Sequence, residues 1–184
     1  MGLVQSCSGY HKPLHVVLLG LDSAGKSTIF YRLRWNEDLK TQPTIGFNVG
    51  MQQVAKNIVL TLWDVGGQDK MRLYWKHYLE DCRALVFVVD SSDRGRIREA
   101  ARALRHVLAM DSVKGIPLIV LANKCDLPNI MNLSEVATTL GLNNSTDRDW
   151  VIQPCSGLNG QGLQEAFQAI AELIKDSKTS NRCL

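Results

Sequence analysis

The chain has 184 residues, 45% of them hydrophobic and 21% charged, which fits one soluble globular domain with a core of its own. A formal net charge of +3 is too small to argue for nucleic acid, so no nucleic-acid partner is expected. No apolar stretch is long enough to span a membrane, and the N-terminus lacks the apolar core of a secretory signal.

The first strand is expected over Leu14 to Leu19, followed by a helix-period segment from Lys26 to Leu33. A hairpin follows, Phe47–Val54 and Ile58–Trp63, joined by Ala55-Lys56-Asn57. Further strands are expected at Ala84 to Val89, Pro117 to Leu121 and Trp150 to Ile152, with helical segments at Ile97 to Leu108 and Gly162 to Ile174. The strand runs are continuous rather than alternating, the pattern of strands buried on both faces in a parallel sheet. The hairpin makes its first strand antiparallel to the rest. The fold class expected is therefore α/β, a doubly wound and mostly parallel sheet with helices on both faces. Ligands of such sheets bind at the carboxyl ends of the strands.

No repeat, low-complexity segment or interdomain linker appears. Residues 1–12 read as an N-terminal segment, 13–175 as the globular domain and 176–184 as a polar tail. Cys82, Cys125 and Cys155 border apolar runs and are expected to be reduced thiols in or near the core. With Cys7 and Cys183 they form no metal-ligand spacing, and a cytosolic setting is expected.

Three motifs fall at strand ends. Gly20-Leu21-Asp22-Ser23-Ala24-Gly25-Lys26-Ser27 fits G-x-x-x-x-G-K-[ST], between a strand and a helix. Its backbone N–H groups would curl around phosphates at a helix N-terminus, Lys26 would reach the outer phosphates, and Ser27 would ligate Mg²⁺. Gly20, Asp22, Ser23, Ala24, Gly25, Lys26, Ser27 and Thr28 are the phosphate-binding candidates. Asn123-Lys124-Cys125-Asp126 matches N-K-x-D. An Asp126 carboxylate accepts from guanine N1–H and N2–H₂, donors that adenine lacks there, Lys124 can lie along the ring, and Asn123 can tie this loop to the phosphate loop. Asp64-Val65-Gly66-Gly67-Gln68 leaves the second hairpin strand with a carboxylate placed to hold Mg²⁺ through water. There Gly67 N–H would meet a γ-phosphate, and Gln68 would orient the attacking water as the catalytic candidate.

Taken with Pro43-Thr44-Ile45-Gly46-Phe47-Asn48, these motifs resemble the Arf family of small GTPases, most closely its Arf-like members. The resemblance runs from the phosphate loop to the last helix. It implies six strands, five of them parallel, a Mg²⁺–GTP/GDP switch, and exchange factors, GTPase-activating proteins and effectors as partners. It also implies that Thr44 binds nucleotide and Mg²⁺ in the GTP state, and that Phe47, Trp63 and Tyr78 form part of the effector surface. Ser156-Gly157 departs from the family's usual Ser-Ala or Cys-Ala in the last base-contacting segment. Gly157 still offers an N–H to guanine O6, and glycine's extra freedom predicts weaker affinity or faster exchange.

Met1-Gly2-Leu3-Val4-Gln5-Ser6 fits a Gly2 myristoylation signal, and Cys7 is a candidate palmitoylation site. A single myristoyl chain binds membranes only marginally, so a second signal is needed. Arf relatives use an amphipathic N-terminal helix, which Gly9 and Pro13 make poor here. Localisation is expected to be cytoplasmic with reversible membrane association. The run Arg94, Arg96, Arg98, Arg102, Arg105 reads as a solvated face of the helix after the fourth strand, with an acidic-lipid or partner surface as its rival.

The leading function is a membrane-associated switch recruiting effectors, in vesicle trafficking or membrane signalling, with slow intrinsic GTP hydrolysis. No arginine can be assigned as a finger in cis, and a partner supplying one would accelerate hydrolysis roughly 10³–10⁵-fold. The alternative is a GTP-dependent membrane scaffold in which hydrolysis is negligible. A P-loop kinase or ATPase is disfavoured by N-K-x-D and by the absence of a recognisable lid segment.

Overall fold

The computed structural model describes residues 12–36 and 41–180, so Gly2, Cys7 and Cys183 lie outside the described residues. Six strands, β1 Leu14–Leu19, β2 Phe47–Ala55, β3 Ile58–Val65, β4 Ala84–Asp90, β5 Leu118–Asn123 and β6 Trp150–Pro154, form one sheet in the order β2-β3-β1-β4-β5-β6. Every pairing is parallel except β2 with β3. The α/β class, the six strands and the lone antiparallel edge strand match the sequence reading.

Burial follows from the pleat. Val17 and Leu19 of β1 point into a layer with Leu85, Phe87, Leu104 and Val136, while Val16 and Leu18 join Ile29, Val86, Phe167 and Ile170 on the other side. Helices therefore cover both faces. α1 Lys26–Trp35 and α6 Leu163–Ser180 lie on one; α4 Ile97–Leu108 and α5 Leu133–Leu140 lie on the other. A continuous apolar strand needs two such covers.

The differences from the sequence reading are local. β2 runs to Ala55, which pairs with Ile58, so the hairpin turn is only Lys56-Asn57, with a register shift between Gln53 and Ala55. α6 runs on to Ser180, into the segment read as a polar tail. Helix α5 was not anticipated, although Asn132 and Glu135 form a reciprocal capping box at its start. Two further short helices, α2 Asp69–Arg72 and α3 Trp75–Tyr78, follow the D-V-G-G-Q stretch. Arg94 and Arg96 precede α4 instead of lying on it, and both are paired, Arg94 with Glu135 and Arg96 with Asp93 and Asp22. Arg98, Arg102 and Arg105 are exposed on α4.

Cys82 and Cys155 are buried free thiols, and Cys125 is half-buried. Burial raises both Cys82 and Cys155 to about 12 from an ordinary 9.0. Between those values the unfolded chain releases the protons while the folded chain keeps them, so the two thiols lower stability as pH rises above 9, against an opposite contribution from Lys26, whose folded value lies at about 8. Each thiol contributes a slope on the order of 1 kcal/mol per pH unit once the pH is well above 9. A Cys82→Ser, Cys155→Ser chain should lose most of this alkaline decline in urea melts between pH 9 and 10.5. An unchanged slope would refute the assignment.

Candidate functional site

At the carboxyl ends of β1, β3 and β5, four chain segments meet around a cleft of about 360 Å³. Asp22, Ser23, Gly25, Lys26, Ser27 and Thr28 line it from the phosphate loop, Thr44 from the segment before β2, Gly67 and Gln68 from the stretch after β3, and Lys124 from the loop after β5. A larger groove, about 660 Å³, opens at the opposite ends of the strands, lined in part by Lys12, His15, Ile58, Arg83 and Lys175.

Gly25 has φ +93°, and a Cβ there would fall 2.2 Å from the Asn123 amide nitrogen, so glycine is needed on both counts. Behind it, Lys26 is 5% exposed and its ammonium donates to the carbonyls of Gly20 and Leu21 at 3.0 and 2.8 Å. Burial pulls this lysine down to about 8; Asp64 and Asp22 act in the opposite direction and Arg72 adds to the lowering. It is still a cation at neutral pH, at the base of the phosphate loop.

Ser27, Thr44 and Asp64 come together as the metal reading requires. The Ser27 hydroxyl donates to Asp64 Oδ2 at 2.7 Å and lies 2.7 Å from Thr44 Oγ1. With the single Ser27 proton given to the carboxylate, Thr44 is the donor in the second bond. Asn48 also donates to Asp64 Oδ2, at 2.9 Å, and is itself held by Tyr31. Asp64 is fully buried, and its other oxygen, Oδ1, has no hydrogen-bond partner. Two hydroxyls and a buried carboxylate with a spare lone pair form a hard oxygen donor set that fits Mg²⁺.

Gly67 packs directly on the phosphate loop, where a Cβ would come within 2.4 Å of Gly20 O and 2.5 Å of Asp22 N. Gly66 N–H donates to Gly46 O at 3.0 Å, joining this stretch to the segment that carries Thr44. Gln68 is exposed at the cleft's mouth. Phe47, Trp63 and Tyr78 touch one another, with ring centroids 5.0 to 6.1 Å apart, and Phe47 is 46% exposed.

The base-side loop is braced from within. Asn123 donates to Ala24 O and accepts from Gly157 N–H, each at 2.8 Å, so one amide links phosphate loop, N-K-x-D loop and last loop. The tie to the phosphate loop is as expected; the Gly157 N–H, expected to reach guanine, is engaged by Asn123 in this structure. Nor is Gly157 loose. It is buried, a Cβ would lie 2.9 Å from Ile29 Cγ1, and Arg32 donates to its carbonyl at 3.4 Å and to that of Leu158. Ser156 turns inward, its hydroxyl accepting from Asn159 N–H. Lys124, at φ +65°, pairs with Asp90 at 2.5 Å, and Asp126 is exposed. Thr28 is half-buried, 3.3 Å from the Thr41 hydroxyl.

Sequence reading missed Asn48, Asp90, Arg32, Arg72 and Trp75. Only Asn48 carried a local signal, being part of the quoted Pro43–Asn48 stretch. Removing the Asn123 amide would forfeit two buried hydrogen bonds, about 2 kcal/mol together. Asn123→Ala should therefore speed GDP release roughly 30-fold in a fluorescent-nucleotide displacement assay. A wild-type rate would show that the braced loop does not retain nucleotide.

Comparisons with known proteins agree with this geometry. The ADP-ribosylation factor (Arf) family pattern matches residues 1–174. ADP-ribosylation factor-like protein 14 of Mus musculus is 40% identical over 186 residues, spanning 100% of this chain and 97% of that protein. ADP-ribosylation factor K of Dictyostelium discoideum is 44% identical over 165 residues, covering 90% and 87% of the two chains. The Arl6 (BBS3) small GTPase of Trypanosoma brucei, solved with the nucleotide analogue GppNp bound, superposes with a TM-score of 0.81 at 29% identity. That match covers 90% of this chain and 99% of the other. A phosphate loop, a hydroxyl–carboxylate cluster and an N-K-x-D loop on this sheet thus belong to a nucleotide-binding GTP hydrolase, and the chain is a member of the Arf family of small GTPases.

Proposed function

We propose that this Arf-family GTPase works as a Mg²⁺-dependent switch at a membrane surface, alternating between GDP and GTP forms to recruit effectors in vesicle trafficking or membrane signalling. The observation that carries the switch is the Ser27–Thr44–Asp64 cluster. It joins the phosphate loop to a segment that has no helix or strand of its own between Thr41 and Gly46. Such a segment can be gained or lost with the ligand it helps to hold.

Mg²⁺, held by Ser27 and Thr44 directly and by Asp64 through water, would neutralise phosphate charge. The chain's own groups do the rest. Lys26 places a buried cation under the outer phosphates. Gly67 offers its N–H to the γ-phosphate from a position fixed against the phosphate loop, and Gln68 orients the attacking water. Asp126 reads the guanine edge, with Lys124 laid along the ring. Phe47, Trp63 and Tyr78 present a partly exposed aromatic surface to effectors.

The membrane part rests on the sequence at Gly2, with Cys7 as the candidate second lipid site. Exchange factors and GTPase-activating proteins complete the cycle, the latter because no cis arginine has been assigned to the phosphates.

Binding of GTP, GDP and ATP with Mg²⁺, followed by single-turnover hydrolysis, tests the core of this reading. Guanine nucleotides should bind at least a hundredfold tighter than ATP, given the paired hydrogen bonds at Asp126 (on the order of 3 kcal/mol). Chelating Mg²⁺ should accelerate GDP release. Gln68→Leu should bind GTP normally yet hydrolyse it at least tenfold more slowly with an activating protein present. Normal stimulated hydrolysis in that variant would remove Gln68 from its role.

A further inference from the structure

Two side chains beyond the D-V-G-G-Q motif grip the two peptide groups that the proposed chemistry uses. The Trp75 indole N–H donates to Gly66 O at 2.9 Å, in a fully buried bond. Arg72 Nε donates to Gly67 O at 2.8 Å. These carbonyls belong to consecutive peptides, Gly66–Gly67 and Gly67–Gln68.

The described residues contain no cis peptide bonds, and in a trans peptide the N–H points opposite to the C=O. Holding Gly66 O against Trp75 therefore aims Gly67 N–H away from the indole. Holding Gly67 O against Arg72 likewise sets the plane of the Gln68 N–H, and with it the Gln68 Cα from which the side chain departs. Glycine has no side chain with which to fix its own peptides, so external clamps have a large effect here.

Both clamps are themselves held. Trp75 is 1% exposed, packed in the core layer of β1, β4 and α4. The Arg72 guanidinium pairs with Glu99 of α4 at 2.8 Å and Asp69 at 2.7 Å, and stands 3.7 Å from Asp22 of the phosphate loop. Its side chain is 17% exposed, so these contacts are only partly screened.

We propose that Trp75 and Arg72 are positioning residues with separate tasks: Trp75 aims the Gly67 N–H at the third phosphate, and Arg72 sets Gln68 for the attacking water. The inference rests on the roles given to Gly67 and Gln68 above. It divides discrimination between nucleotides from hydrolysis, assigning each to one hydrogen bond.

The test compares GDP affinity, GppNHp affinity and single-turnover GTP hydrolysis in variants of the full chain. Trp75→Phe should weaken GppNHp about tenfold and leave GDP within about twofold, since only the third phosphate uses that N–H. A chain carrying β-(3-benzothienyl)alanine at position 75 has sulfur in place of the N–H and nearly the same shape. It should give the same selective loss even if Trp75→Phe folds poorly. Arg72→Ala should slow hydrolysis at saturating GTP about tenfold while the GppNHp-to-GDP ratio moves less than threefold. Glu99→Gln, the milder change, should slow it two- to threefold.

Equal losses for GDP and GppNHp in the position-75 variants would mean that Trp75 only supports the fold. Wild-type hydrolysis in both Arg72→Ala and Glu99→Gln would overturn the Arg72 role. Gln68→Leu, run alongside, separates the underlying reading from the inference. If it hydrolyses GTP normally, the Gln68 assignment has failed, and the affinity ratio at position 75 still decides the Trp75 clamp.

Discussion

A carboxylate with no exposure at the end of β3 is costly, and the organisation of the nucleotide cleft follows from meeting that cost. Taking an ion out of water costs several kcal/mol unless hydrogen bonds and opposite charge replace the lost hydration. Asp64 receives two such bonds at Oδ2, from Ser27 and Asn48, and none at Oδ1. The two donors come from α1 and β2, so satisfying one oxygen fixes both elements around the rim. Lys26 lies near enough that Asp64 helps to keep its ammonium charged despite burial. A site with this much negative charge on one side and a buried cation on the other has directionality before any ligand arrives. The remaining lone pairs of Asp64 are what a hard cation would use.

From that carboxylate, order is relayed outward through backbone contacts. β3 ends at Val65, and the next two residues are glycines buried against other backbone. Gly66 N–H reaches Gly46 O, and Gly67 lies on the phosphate loop. Both approaches are too close for a side chain. Between a ligand-binding loop and two short helices of four residues each, the chain has little intrinsic stiffness. Isolated helices that short are not stable by themselves. Their position depends on Trp75 in the core and on Arg72 bridging to α4 and the phosphate loop.

How much of this could be read from the sequence depends on whether the information was contiguous. The phosphate loop, Asp64 and N-K-x-D are legible because each packs its chemistry into a few successive residues at a strand end. The parallel sheet is legible because β1, β4 and β5 are apolar without alternation. Arg72, Trp75 and Asp90 act through partners brought close only by folding, such as Glu99, Gly66 O and Lys124, and nothing in their neighbours announces this. Helix α5 is a different case. Its eight residues are too few for a strong period, yet the Asn132–Glu135 capping box was there to be seen. Gly157 shows the limit of residue-level reasoning. Freedom is a property of glycine in an open chain, and here Asn123, Arg32 and Ile29 remove it.

The same contrast orders the site as a whole. Gln68 and Asp126, which the proposed function sets against water and base, are exposed, whereas the residues that support the loops around them are buried or paired. Asn123 is 2% exposed with both amide atoms engaged, Lys124 is anchored by Asp90, and Asp90 is anchored in turn by Ser92. Ordering these supports is a cost met during folding, so less of it falls on nucleotide binding. A hydrogen-bonding group that is already oriented also loses less free energy when charge develops beside it. The division has a consequence for how variants should be read. Changes at exposed contact residues act on the ligand alone, whereas changes at the supports act through loop geometry and affect every group the loop carries. In a cleft where one asparagine side chain bridges three segments, the second kind of change reaches farther than its distance from the nucleotide suggests.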